Sequence, residues 1–340
     1  MTRLLLVVSS ATEIDLADGT PHAIGYWPEE VSRPLRRFVD AGVDVVVATP
    51  GGRAPTPDQF GLEPRFHYRD EDEDFLQSVI RSFAPDPEDI RITLHHLTEL
   101  DLIASRALHE QAIKGGADAL DARDHIDAVA RAAWFQDRNL IDVLAGMPAP
   151  DHFPDATAAR QIADEVQQES VEEAEKVKTE LTTNPMLMEP RDLSSITDEE
   201  LESFDGVFFP GGHGPMVDLN ENPDVDRIVR HFHHKQQLVS AVCHGPAALL
   251  SVGNGPDGAW LFDGYRMSVF SDDEENQVPV GQLGAPWYVE AAIRNKGAVV
   301  DNAQAEWISH VVVDRNVVTG QNPASSEAAA AAVLKKLGVS

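Results

Sequence analysis

The chain has one cysteine among 340 residues. No internal disulfide can form, so the expected setting is a reducing compartment, the cytoplasm. Basic residues are scarce: 27 Lys and Arg stand against 57 Asp and Glu, a net charge of −30. A chain this acidic repels phosphate backbones and anionic headgroups, which argues against nucleic acid and membrane surfaces as partners. Long apolar runs are missing. Nothing approaches the ~18–20 residues of a membrane span. The apolar run at residues 4–8 is too short for a signal-peptide core. There is no phosphate-binding loop and no dinucleotide fingerprint, so no such cofactor is expected.

What is present alternates between strand-like and helix-like texture. Residues 4–10 form a continuous apolar run ending in Ser9 and Ser10, the pattern of a strand buried on both faces. A loop with an Asp18-Gly19 turn signal follows. A helix then runs through Val31, Leu35 and Phe38, and a second strand covers residues 43–50. Strand, helix, strand predicts an α/β fold with a parallel sheet. From about residue 63 to 180 the Val and Ile runs vanish. This segment holds 27 acidic and 12 basic residues, half of the net charge. Helices are expected over 74–83, 98–114, 119–144 and 156–181, with apolar stripes such as Ala130, Ala133, Trp134, Leu140 and Val143. The segment reads as a helical insertion, 63–180, in a domain made of 1–62 and 181–340. The α/β pattern then resumes. Strands are expected at 206–210, 238–242, 265–270, 298–300, 308–314 and 317–319. Helices are expected at 198–201, 223–235, after Cys243, at 286–294 and at 323–337. The result is a doubly wound, mostly parallel sheet. Active sites of such sheets lie at the carboxyl ends of the strands, where Ser9, Gly211 and Cys243 fall.

The organising stretch is residues 238–250. An apolar strand meets an abrupt turn at Cys243, then Gly245, Pro246 and a small-residue helix. That is the pattern of a nucleophile elbow. A helix N-terminus beneath the sulfur would favour the thiolate. His244 is an adjacent proton carrier that needs an acid to orient it, and Asp272-Asp273-Glu274-Glu275 supplies candidates. Pro210-Gly211-Gly212-His213-Gly214 follows a strand, and its paired glycines let backbone approach a substrate oxygen. The N–H groups of Gly212 and His244 are candidates for an oxyanion hole. Glu30 lies at a helix entry, and burial beside a thiolate would raise its pKa. His231, His233 and His234 share a helix, but no carboxylate or cysteine completes a ligand set, so no metal site is expected.

These residues resemble the PfpI/ThiJ superfamily of class I glutamine-amidotransferase-like proteins, and within it the heat-shock-type glutathione-independent glyoxalases. Four blocks carry the resemblance: Gly25-Tyr26-Trp27-Pro28-Glu29-Glu30 with Pro34; Phe208 through Pro215; Ala241 through Pro246; and Thr319 through Ser326. The resemblance implies a flavodoxin-like sheet, Cys243 as nucleophile, His244 as its partner and Glu275, rather than Glu274, as the orienting acid. It places the family's catalytic glutamate on Glu30 and implies Gly211, Gly212 and His213 at the oxyanion and substrate site. The implied reaction converts methylglyoxal, or a similar 2-oxoaldehyde, to the 2-hydroxy acid with no metal, cofactor or glutathione. A homodimer acting on a small carbonyl substrate is expected. The 63–180 insertion and Pro286-Trp287, where Pro-Phe is usual, depart from the pattern and bear on substrate choice.

The rival enzymatic readings are a glutaminase, a cysteine peptidase or amidase, and a protein deglycase. Class I amidotransferases use a distant His-x-Glu, and this chain contains none. A stress-related holdase chaperone or a thiol redox sensor is the alternative of another class. A chaperone would keep its protection against heat aggregation in a Cys243→Ser variant.

Overall fold

The computed structural model describes residues 2–83, 99–136, 138, 140–253 and 258–339. The chain divides into two compact units, Met1–Leu62 with Val177–Ser340, and Glu63–Lys176.

The first unit is built on β-structure. In chain order its strands are β1 (Arg3–Val7), β2 (Glu13–Asp15), β3 (Pro21–Ala23), β4 (Asp44–Thr49), β5 (Arg191–Asp192), β6 (Gly206–Phe209), β7 (Leu238–Val242), β8 (Arg266–Met267), β9 (Val299–Val300), β10 (Val311–Asp314) and β11 (Val317–Gly320). Seven of them form one sheet in the order β10-β11-β7-β6-β1-β4-β5. Every pairing is parallel except β10 with β11, which closes one edge as a hairpin. Helices cover β1, β6 and β7, so these strands are buried on both faces, and Leu4, Leu5, Leu6, Phe208, Phe209 and Val239 are fully buried. That explains why they read as unbroken apolar runs rather than alternating ones. The chain leaves β1 toward β4 on one side and returns to β6 on the other. The carboxyl ends of β1, β6 and β7 therefore meet at the switch point, where a crevice opens in sheets of this kind.

The expected elements differ from the observed ones where side chains replace the ladder. The strand expected over 265–270 shortens to β8, paired with β9 in a separate parallel ladder. Beyond it, the Ser268 N–H donates to Thr319 Oγ1 at 2.9 Å, and the Val269 N–H to Asn302 Oδ1 at 3.0 Å. The loop around Asp18-Gly19 contains the β2–β3 hairpin. Residues 271–276, expected as a loop, hold a one-turn helix, Asp272–Glu275, closed by a Ser271/Glu274 capping box. The helix after Cys243 is a 3₁₀ segment, Gly245–Ser251.

The second unit is helical. Its helices include Asp70–Phe83, Glu99–Gly115, Ala119–Gln136 and Leu140–Leu144. The single helix expected over 119–144 is thus two. Arg138, between them, lies outside both helices. Leu108, Ala122, Val129, Ala133, Leu140 and Val143 bury together as a core of their own. Thr98 and the side chain of Trp134 lie outside the described residues. No helix among the described residues is long and apolar enough to cross a membrane.

Gly245 shows how tightly the switch point is packed. A Cβ there would press into the Phe209 carbonyl at the end of β6. Gly245→Ala should destabilise the protein by about 1–3 kcal/mol. A urea melt of the variant within experimental error of wild type would contradict that packing.

Candidate active site

β7 delivers Cys243 to the turn with φ at 60°, a left-handed conformation that costs a non-glycine residue of order 1–2 kcal/mol. Two hydrogen bonds hold it there. The Cys243 N–H donates to the Gly320 carbonyl at 2.9 Å, and its own carbonyl accepts from the Phe270 N–H at 3.0 Å. This is the strained elbow expected from sequence.

From the elbow a chain of polar contacts runs inward. Cys243 Sγ lies 3.2 Å from His244 Nδ1, and His244 Nε2 lies 2.6 Å from Glu275 Oε2. The other Glu275 oxygen, Oε1, lies 3.0 Å from His213 Nε2. One buried carboxylate therefore holds two imidazoles, whose ring centres are 4.3 Å apart. Phe270 packs on the other ring neighbour side of the site, 4.5 Å from His244. His213, expected at the oxyanion or substrate site, is held by Glu275 through its Nε2.

Glu30 sits in the first turn of the helix Pro28–Asp40 and is fully buried. Its Oε2 accepts from the Gly211 N–H at 2.7 Å, while Oε1 makes no conventional hydrogen bond. Its neighbour Glu29 is paired with Arg33 at 3.0 Å. Only glycine fits at 211: a Cβ would stand 2.7 Å from Glu30 Oε2, from the His244 nitrogen and from the Val242 carbonyl. Gly212 has φ at 77°, and its N–H is directed at the Cys243 sulfur, where it favours the thiolate. Ser9, just beyond β1, donates to Asp218 Oδ1 at 2.6 Å and accepts from the Ala11 N–H at 3.1 Å, so it braces the loop.

The electrostatics correct the expected thiolate. Burial, followed by the Glu30 carboxyl, pushes the Cys243 thiol well up. The helix beneath it is only a short 3₁₀ segment, so its end offers little to offset this. Burial also pushes Glu30 up to about 8, against the lowering effects of Cys243 and the Gly211 N–H. Thiol and carboxyl thus form a coupled pair that keeps a proton near neutral pH. Burial, with His213 adding to it, lowers His244 against the raising effect of Glu275. Burial alone would raise Glu275, but the two imidazoles facing it hold it well below the usual carboxylate range.

Among the described residues, His231, His233 and His234 fall in no grouping with metal-ligand spacing. His233 packs against Phe262 and Tyr265 at 4.9 and 5.6 Å. Among the described residues, the grouping with metal-ligand spacing is His213, His244 and Glu275, with ligand atoms within 4.8 Å of one another. There both carboxylate oxygens already accept from imidazoles. Trp287 is half-buried against the core of the first unit. Sequence reasoning passed over Glu274 as a structural anchor, although its spacing from Ser271 is the capping-box signal.

Residues 155–257 match the DJ-1/PfpI family. The chain is similar to the human glutamine amidotransferase-like class 1 domain-containing protein 1, 36% identical over 132 residues that cover 37% of this chain and 59% of that protein. It is also similar to the protein/nucleic acid deglycase HchA of Staphylococcus aureus, 31% identical over 147 residues that cover 41% of this chain and 49% of that protein. The matches thus span between half and three fifths of these relatives' lengths. Among solved structures, glyoxalase III from Candida albicans shares the fold with a TM-score of 0.56 at 17% identity, covering 98% of this chain and 97% of that one. The Rapid Encystment Protein of Francisella tularensis does so with a TM-score of 0.58 at 18% identity, covering 99% of each chain. The residues that match the DJ-1/PfpI family include β6, the Gly211-Gly212 turn, β7 and the Cys243 elbow.

Proposed function

We propose that the protein is a cysteine-dependent lyase of the glyoxalase III type, converting methylglyoxal or a similar 2-oxoaldehyde to the 2-hydroxy acid without glutathione. The supporting observation is that one thiol has two separate acid–base groups, the His244 imidazole at 3.2 Å and the buried Glu30 carboxyl coupled to it. Simple hydrolysis needs one such group. Moving a hydrogen between adjacent carbons needs a base at one carbon and an acid at the neighbouring oxygen.

In this mechanism the Cys243 sulfur bonds to the aldehyde carbon while the carbonyl π bond breaks. The thiol proton passes through Glu30 or His244 to the aldehyde oxygen, giving a hemithioacetal. A base then takes the carbon-bound hydrogen, the electron pair forms the C1=C2 bond of an enediol, and the ketone oxygen gains a proton. Protonation at C2 and loss of the C1 hydroxyl proton give a thioester. Water cleaves the C–S bond, yielding the 2-hydroxy acid and the free thiol. The substrate's two carbons exchange oxidation levels, so no outside oxidant is consumed. The N–H groups of Gly212 and His244 are the candidate donors for the oxygen that becomes negative.

The staphylococcal relatives bear the name of protein/nucleic acid deglycases, which favours a second reading on the same thiol, release of a 2-oxoaldehyde adduct from an amine. We place the protein in the cytoplasm as a homodimer. The deciding experiment supplies methylglyoxal without glutathione and detects D-lactate. Turnover supports the lyase. No turnover by the wild type, with release from a glycated amine intact, favours the deglycase.

A further inference from the structure

Glu274 stands next to Glu275 and has no part in the chemistry just described. It is fully buried, and among the described residues no cation pairs with it. Instead its carboxylate takes five neutral donors from three stretches of chain. Oε1 accepts from the Trp307 N–H at 2.7 Å, Asn322 Nδ2 at 2.8 Å and Gln321 Nε2 at 3.1 Å. Oε2 accepts from the Ser271 N–H and hydroxyl, both at 3.0 Å. A buried carboxylate persists only with such full satisfaction.

Each donor bears on the site. Ser271 caps the single turn that carries Glu275. Gln321 and Asn322 follow β11, whose end receives the Cys243 N–H through Gly320. Trp307 is held with φ at 63°. Its ring packs 5.8 Å from Phe270, which in turn packs on His244. Glu274 therefore ties the acid-bearing turn, the elbow's neighbour strand and the aromatic wall behind His244 to one point.

The geometry points to Glu274 as the positioning residue of this site: it fixes the Asp272–Glu275 turn so that Glu275 meets His244 and His213, and it acts on the reaction chiefly through Glu275. For its turnover measurement this rests on the proposed lyase reaction. A second measurement, the rate at which iodoacetamide alkylates Cys243, does not.

The test is a double-mutant cycle of Glu274→Gln, Glu275→Gln and the double variant. Glu274→Gln keeps size but cannot accept all five donors. Loss of alignment at a reacting group costs on the order of 100-fold, so kcat should fall on that scale with KM little changed. The double variant should be no slower than Glu275→Gln alone, in turnover and in alkylation. Additive losses, or a Glu274→Gln variant with wild-type kcat and alkylation but a lower melting temperature, would overturn the proposal and leave Glu274 a purely structural residue. If the wild type does not turn over methylglyoxal, the same cycle is read on alkylation alone. If Glu274→Gln does not fold, Asn322→Ala removes one donor and replaces it in the cycle with the same expected non-additivity.

Discussion

Replacing Cys243 with alanine should reduce D-lactate formation from methylglyoxal to background, a loss of at least about 10⁴-fold, because no other group in the site can form the covalent intermediate. The chain contains no second thiol to substitute for it. The fold should survive. Alanine meets the same left-handed backbone cost as cysteine, and the hydrogen bonds to Gly320 and from Phe270 are made by main-chain atoms. Truncating this small, 2% exposed side chain should cost only about 1–2 kcal/mol. Both halves matter. A folded, inactive variant assigns the chemistry to sulfur. A folded variant that keeps more than a few per cent of wild-type turnover rejects Cys243 as nucleophile.

Glu30→Gln should lose turnover on the order of 10²–10⁴-fold, the scale of a missing general acid–base group, and should at the same time gain stability. The sign follows from the raised pKa. In the folded protein Glu30 titrates at about 8, against an ordinary value of 4.5. Between those values the native state holds a proton that the unfolded chain releases. The carboxyl's contribution is therefore fully present below about pH 4.5 and is lost as pH rises toward 8. Glutamine does not titrate, and its carbonyl can still accept from Gly211. The stability of the variant should thus overtake wild type with rising pH, the gap opening by up to about 4 kcal/mol between pH 5 and 8. Urea denaturation at several pH values measures it. Parallel curves for the two proteins would mean that Glu30 is not a strained, proton-holding carboxyl. Such a gain in stability on removal is what a functional group held against its own solvation preference produces.

Much of this was legible in sequence for a physical reason. β1, β6 and β7 are largely apolar because both faces are covered, so they stand out even without alternation. The elbow was legible because a lone cysteine followed a buried strand and preceded Gly245-Pro246. The short pieces were not. β5, β8 and β9 have two residues each, too few for any period, and their existence depends on partners distant in sequence. The same holds for charge. Cys243 looked like a thiolate from its local turn, but its burial, and after that Glu30, which meets the Gly211 turn from 181 residues away, push the thiol up. His213 and Glu275 are 62 residues apart, and no local pattern reveals that they share a proton-bearing contact. The choice between Glu274 and Glu275 was likewise decided by which way each carboxyl turns off one short helix, a matter of about 100° of rotation per residue.

The solitary thiol at the elbow also makes the molecule a titrant of its own proposed active site. Every mass increment that a thiol reagent or an oxidant adds to sulfur as a thiol adduct falls on the reacting atom. The unlabelled fraction in an intact-mass spectrum is then the live fraction of a preparation. Specific activities from different batches become comparable per working site rather than per milligram.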